Sequence, residues 1–153
     1  MISEVEYIKG LPPSPFNQVS DLMRPRDVYN FRWKEFDNSA VHQMNKQFWT
    51  SEEMKVELDK SDLLYKIPEE DRHPILYISK QFVRYELNVE EFWASVVYKW
   101  FKAPEVRKMA LVFSMVESAI HAPFYKKVSE VTGTESDEDF RSYVNDPVLA
   151  ERA

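Results

Sequence analysis

The sequence predicts an all-α fold built from long helices, and two observations favour it. Of the 153 residues, 44% are apolar and 14% aromatic, but only 2 are glycines, which is untypical of a β fold rich in tight turns. Apolar residues also recur with a period near 3.6 over long stretches of the chain. A chain of this length forms one domain that can bury a core.

Composition also excludes several classes of function. The net charge of −6 and the lack of a basic run argue against binding to nucleic acid or to an acidic membrane. The chain has no cysteine, so a metal here needs oxygen and imidazole nitrogen ligands, and the absence fits a reducing cytoplasm. Neither a targeting segment nor a membrane span is recognisable, since no apolar run approaches roughly 20 residues. We therefore expect a soluble cytoplasmic protein.

The first 62 residues are predicted to form an irregular arm, one helix, a turn and a connection. Residues 1–25 are rich in proline and predict an irregular arm. Residues 26–153 form the helical domain, whose first helix is predicted over about 26–49 from its apolar positions, namely Trp33, Phe36, Val41, Met44 and Phe48. Thr50 and Glu53 have the spacing of a capping box and predict a turn. The polar segment 59–62 is interpreted as a connection.

The second helix is predicted from Pro68 to about Phe101. Proline suits the first helical position, and the acidic residues 69–71 suit the positive end of the helix dipole. Its predicted core stripe consists of Ile75, Ile78, Phe82, Val89, Trp93, Val96 and Trp100. Glu86 lies where this stripe calls for another apolar residue. A carboxylate at a core position is costly unless a positive charge compensates it.

The third helix is predicted from Pro104 to about Thr132, with a glycine cap after it. It carries Glu105 in its first turn. Between Met109 and Tyr125 it is apolar on every side apart from Glu117, His121 and two serines, so burial on all sides is expected. Glu117, His121 and Tyr125 follow one another at one-turn intervals. Beyond this helix a short element is predicted, and Asp146 before Pro147 marks the start of another helix.

These residues predict a metal site. A glutamate from one helix and a glutamate and histidine from the next form half of the ligand set of a ferritin-like dimetal centre, which suits iron or manganese. Alternatively, the two glutamates pair with lysines and His121 is a hydrogen-bonded core histidine. The coincidence of all three on facing helices favours the metal site. The other histidines, His42 and His73, receive no role.

Four segments identify a family resemblance. In order, FWTSEEM, PEEDRHPILYISKQFVRYE, PEVRKMALVFSMVESAIHAPFY and NDPVLAERA resemble the N-terminal half of the radical-generating small subunit of class I ribonucleotide reductase. The similarity runs from about residue 30 onward. It implies that Glu86, Glu117 and His121 bind metal and that Tyr125 carries the radical. It also implies that Trp49 takes part in electron transfer to the metal site.

The resemblance departs from the family pattern at one ligand. The family has Glu-x-x-His, whereas here three residues separate Glu117 from His121, and Ser118 occupies the position of the family's glutamate. Either Ser118 replaces the carboxylate or Glu117 is the ligand and the helix absorbs one extra residue. We favour Glu117, because a π-bulge commonly absorbs such an insertion and Pro123 already breaks the hydrogen-bond ladder at Ala119.

The family's second pair of metal-binding helices, and the tail that docks on the large subunit, have no counterpart in the 153 residues. We therefore expect an incomplete half of a ferritin-like bundle, with about three main helices plus the arm. A second chain is expected to complete its dinuclear iron or manganese centre. The resemblance further implies a dimer of the assembled small subunit and a large catalytic subunit that reduces ribonucleotides. Two rival interpretations are a self-pairing ferritin-like half-bundle that oxidises or stores iron and a non-catalytic scaffold of a reductase complex.

Overall fold

The computed structural model describes residues 21–26 and 30–151, and over these ranges the chain is all-α, as predicted. The helices that position the site are α3 and α4. Helix α3 comprises Glu69–Glu91, a π-helical turn Phe92–Val97 and Tyr98–Trp100. Helix α4 comprises Pro104–Val116, a π-helical turn Glu117–His121 and Ala122–Thr132. Long helices of this kind are typical of a ferritin-like bundle.

The remaining helices are short. Helix α1 consists of a π-helical turn, Phe36–Val41, followed by an α-helical segment, His42–Lys46. Helix α2 is the π-helical turn Asp62–Lys66. Two further helices, α5 at Asp137–Arg141 and α6 at Pro147–Ala150, follow α4. Turns of 3-10 helix lie at Asp21–Met23, Val56–Leu58 and Ser142–Asn145. Within the described ranges, no helix is both long and apolar enough to cross a membrane.

The ends of the long helices follow from local sequence. Helix α3 begins one residue after the predicted Pro68, whose carbonyl accepts the Arg72 backbone N–H at 2.9 Å. Helix α4 ends at Gly133, which adopts φ 71° in the left-handed region that glycine favours. The Asp146 side chain accepts the Val148 backbone N–H at 2.9 Å and so caps α6, as predicted.

The chain divides into two compact units. The first combines Met1–Phe48 with Glu91–Ser114, and the second combines Trp49–Glu90 with Met115–Ala153. The core of the first unit is formed by Val97, Ala103, Val106 and Ala110. In the second unit, the Val56–Leu58 turn contacts the Ala122–Thr132 part of α4, and Lys127 forms a 2.8 Å ion pair with Glu57. The second unit contains the candidate site.

Glu105 organises the first unit in a way that its position in the sequence did not indicate. It lies in the first turn of α4, as predicted, but its side chain is fully buried. The carboxylate accepts the backbone N–H groups of Arg32 and Trp33 at 3.0 and 2.8 Å and forms an ion pair with Arg26. Although burial alone would raise the pKa of the Glu105 carboxyl, the backbone hydrogen bond from Trp33 and the hydrogen bond and charge of Arg26 lower it.

Two predictions about the elements need correction. Segment 59–62 is not a plain connection, because its residues 60–62 are already helical and include the first residue of α2. The helix predicted over 26–49 is shorter at both ends, since residues 30–33 are not helical and α1 stops at Lys46. Residues 1–20 and 27–29 lie outside the described ranges, so the predicted arm and the boundary at residue 25 stay predictions.

The predicted burial of the long helices is wrong for much of their apolar surface. Six residues of the α3 stripe are exposed, namely Ile75, Ile78, Phe82, Val89, Val96 and Trp100. Helix α4 is not buried on all sides either, since Leu111 and Met115 are 50% and 40% exposed. The periodicity correctly identifies the apolar face, but burial of that face requires something to pack on it.

Candidate metal centre

Glu86 comes from helix α3 and is one of the buried polar residues of the second unit, with 8% exposure. The sequence places it in register with the apolar stripe, and the helix accordingly turns it inward. Phe82 lies one turn earlier on the same face. The prediction that a carboxylate occupies a core position of this helix is confirmed.

Glu117 and His121 come from the π-helical turn of α4. In this turn the Ala122 backbone N–H donates to the Glu117 carbonyl, five residues back, so one extra residue is accommodated without ending the helix. The π-bulge predicted from the Glu-x-x-x-His spacing is thereby confirmed. It leaves the two side chains in contact, with His121 Nδ1 2.7 Å from a Glu117 carboxylate oxygen.

The three side chains converge on one point. His121 Nδ1 lies 3.8 Å from a Glu86 carboxylate oxygen, and one ligand atom from each residue lies within 4.8 Å of the other two. In the part of the chain that the structure describes, no other group of three acidic, histidine or cysteine side chains is arranged in this way. His42 and His73 are exposed and lie outside the group.

The electrostatics of this group fit a cation. Burial, followed by a hydrogen bond with Glu117 and repulsion from its charge, raises the pKa of Glu86 to about 8. Two carboxyl groups this close together hold a proton between them at neutral pH unless a cation takes its place. Two carboxylates and an imidazole, without sulfur, form a donor set suited to iron or manganese. The residues present therefore fit one side of a dimetal centre.

Comparison with known families identifies the chain. The family model "Ribonucleotide reductase, small chain" matches residues 27–153, which is most of the sequence. The chain belongs to the ribonucleotide reductase small-chain family. A search of curated proteins returned no match. Membership assigns this small chain to an oxidoreductase that forms deoxyribonucleotides and whose small chain binds a dimetal centre, dimerises and associates with a large subunit.

Tyr125 of this small chain lies one turn beyond His121 in α4. Its ring stacks on Phe82 of α3, with centroids 4.9 Å apart and an interplanar angle of 17°. The Phe124 ring contacts it edge-on at 5.2 Å. Burial, with further contributions from the charges of Glu86 and Glu117, raises the pKa of the Tyr125 phenol. Tyr125 therefore lies within the electrostatic influence of the candidate ligands.

Trp49 reaches the same site from the segment before Thr50. Its ring stacks on His121 at a centroid distance of 5.9 Å and an angle of 27°, and it meets Phe124 edge-on at 5.7 Å. The Thr50 backbone N–H donates to Glu53 at 3.2 Å, which fixes the turn that follows. The structure thus brings together all five residues that the sequence singled out.

One residue of the site escaped the sequence analysis. Phe82 was predicted to be a core residue, and the structure stacks it on Tyr125 instead. The sequence spacing could have indicated this contact. Phe82 lies one turn before Glu86 on one helix, and Tyr125 lies one turn after His121 on the other. Residues on facing antiparallel helices at these positions form successive contacts.

Proposed function

We propose that this chain is part of the radical-generating small subunit of ribonucleotide reductase, with Glu86, Glu117 and His121 as ligands of its dimetal centre. The observation that carries the proposal is their convergence within 4.8 Å in a chain of this family. When bound, the dimetal centre supplies the oxidising equivalent for the radical. Glu86 and Glu117 provide negative charge for the cation, and binding displaces the proton that Glu86 otherwise holds.

Tyr125 and Trp49 are proposed as the redox-active side chains. Tyr125 lies one turn from the ligand His121 and is shielded on one face by Phe82. Oxidation of its phenol removes one electron and the hydroxyl proton, so a half-buried ring beside carboxylates is a suitable location. Trp49 stacks directly on His121, and this contact supports a role in relaying the oxidising equivalent to the large subunit.

A second chain is proposed to supply the remaining ligands. The described residues provide a single group of three ligands, which is half of the set that a ferritin-like dimetal centre uses. The exposed stripe of α3 also supports a partner, because apolar residues such as Ile75 and Ile78 are 41% and 50% exposed. Packing of the partner's helices on this stripe would bury it.

Metal analysis of the purified complex, with paired alanine variants, tests this assignment. Glu117→Ala is expected to lower the metal content strongly, because it removes a charged ligand, whereas Ser118→Ala is expected to retain it. Metal content is measured by mass spectrometry, and native mass spectrometry identifies the chains. Loss of metal from Ser118→Ala alone would contradict the choice of Glu117.

The same measurements separate the rival functions. A complete dimetal centre with a tyrosyl radical in the isolated chain would contradict the two-chain proposal. A homodimer that binds metal would favour the self-pairing half-bundle. A reductase complex in which this chain binds no metal would favour the scaffold.

Trp49→Leu is expected to separate radical formation from reductase activity. Because Trp49 contacts His121 through its ring and supplies no ligand, metal content and the tyrosyl radical should persist in the assembled complex. Ribonucleotide reduction with the large subunit should fall to background, since the relay is interrupted. The matched control is Phe48→Leu at the neighbouring exposed aromatic. Equal activity in the two variants would argue against a relay through Trp49.

A further inference from the structure

The environment of Tyr125 is asymmetric. On one side it packs against the Phe82 ring at 4.9 Å, and Phe124 meets it edge-on. Elsewhere Tyr125 and Phe124 line a groove of about 650 Å³, whose other walls include Val56 and Leu63. Phe82 does not line this groove. Open space on one side leaves a ring free to rotate, so the contacts on the other side determine its orientation.

Two contacts between α3 and α4 succeed each other at a spacing of one turn. Glu86 meets His121 at 3.8 Å, and Phe82 meets Tyr125. Phe82 and Glu86 are four residues apart on α3, and His121 and Tyr125 are four residues apart on α4. The same alignment of the two helices therefore produces both the Glu86–His121 contact and the aromatic stack. A near-parallel stack constrains both side-chain torsions of the tyrosine, since rotation about either would separate the ring planes.

We propose that Phe82 is a positioning residue for Tyr125, which fixes the orientation of the phenol ring relative to the Glu86, Glu117 and His121 group. The link to radical chemistry rests on the proposed function, but the positioning itself is a property of the chain without metal. Phe82 has no side-chain atom that could bind a metal, so it is not itself a ligand. It acts through the ring of Tyr125 alone.

The test uses the full chain in which tyrosine is replaced by 3-fluorotyrosine, with Tyr125→Phe to assign the Tyr125 signal by fluorine NMR. Phe82→Leu is expected to move that signal toward its position in the unfolded chain, because the ring current of the stacked phenyl group is lost. Phe82→Trp keeps an aromatic ring without adding a fluorinated tyrosine and should keep the Tyr125 signal away from its unfolded position. Phe92→Leu is the matched control, since Phe92 is a partly exposed phenylalanine of the same helix and meets Trp93 edge-on instead of Tyr125.

Phe82 is 39% exposed, so Phe82→Leu is expected to fold, and circular dichroism verifies this. If Phe82→Leu does not fold, the Tyr125 signal of Phe82→Trp and a nuclear Overhauser effect between the Phe82 and Tyr125 rings of the wild type decide the matter. An unmoved Tyr125 signal in folded Phe82→Leu, or the absence of that Overhauser effect, would overturn the proposal.

A second readout connects the positioning to the radical. In the assembled reductase, the hyperfine splitting of a Tyr125 radical depends on the angle between the ring and its methylene protons. Phe82→Leu should change the splitting, and Phe92→Leu should leave it unchanged. If no variant, including wild type, forms a radical while the fluorine signal still responds to Phe82→Leu, the proposed function fails and the positioning role stands.

Discussion

Glu86→Gln is expected to abolish metal binding. In the metal-free chain, the wild type should lose stability as the pH rises, and the Glu86→Gln variant should not. The folded state holds the Glu86 proton up to about pH 8, whereas the unfolded chain releases it near 4.5. Between these values the folded state binds more protons, so the free energy of unfolding falls with rising pH. Since one pKa unit corresponds to about 1.4 kcal/mol, the expected loss between about pH 5 and about pH 8 is on the order of 3–4 kcal/mol. Glutamine stays neutral and can still donate to Glu117.

Urea denaturation of the chelator-treated chain at about pH 5 and about pH 8 measures this difference. The matched control is Glu91→Gln, an exposed carboxylate on the same helix, which should preserve the wild-type pH dependence. Parallel pH profiles for wild type and Glu86→Gln would contradict the raised pKa of Glu86. Retention of metal by Glu86→Gln would remove Glu86 from the ligand set.

Glu105→Ala is expected to destabilise the first unit by about 3–5 kcal/mol, as is typical when one partner of a buried ion pair is removed. The substitution leaves the Arg26 charge without its carboxylate and two backbone N–H groups, those of Arg32 and Trp33, without their acceptor. Because the pKa of Glu105 is lowered in the folded state, its contribution to stability is present above the ordinary carboxyl value. That contribution is lost as the pH falls through the lowered value.

Thermal and urea unfolding measure the effect of Glu105→Ala. Asp37→Asn is the matched control, because Asp37 forms a 2.5 Å ion pair with Lys108 in the same unit, but this pair is partly exposed. Exposed pairs contribute on the order of 1 kcal/mol or less. An equal loss of stability in the two variants would show that burial of Glu105 does not matter.

The fold class and the candidate ligands were accessible from the sequence because both depend on local spacing. The 3.6-residue period, the prolines at the starts of α3 and α4 and the glycine after α4 determine the two long helices to within a few residues. The interruption of the apolar stripe by Glu86, and the one-turn interval between Glu117 and His121, predicted the group that converges in the structure. Even the π-bulge followed from a single inserted residue.

Contacts between distant parts of the chain were not accessible in the same way. The partners of Glu105 lie more than 70 residues before it in the sequence. Local sequence explains this glutamate by the helix dipole, whereas in the structure it is buried and accepts hydrogen bonds from a distant segment. The extent of burial was also misjudged, because Leu111 and Ile78 have the periodicity of core residues yet remain half-exposed. Periodicity reports which face is apolar and contains no information about what covers it.

By itself, the sequence determined that the chain is all-α, that its two long helices carry Glu86 on one and Glu117, His121 and Tyr125 on the other, and that the donor set suits iron or manganese. Only the tertiary structure decided the separation of the ligand atoms, the proton held by Glu86 and the stacking of Phe82 on Tyr125. The reason is physical. Helical spacing fixes directions along one element, whereas distances, desolvation and ring contacts depend on how two elements pack together.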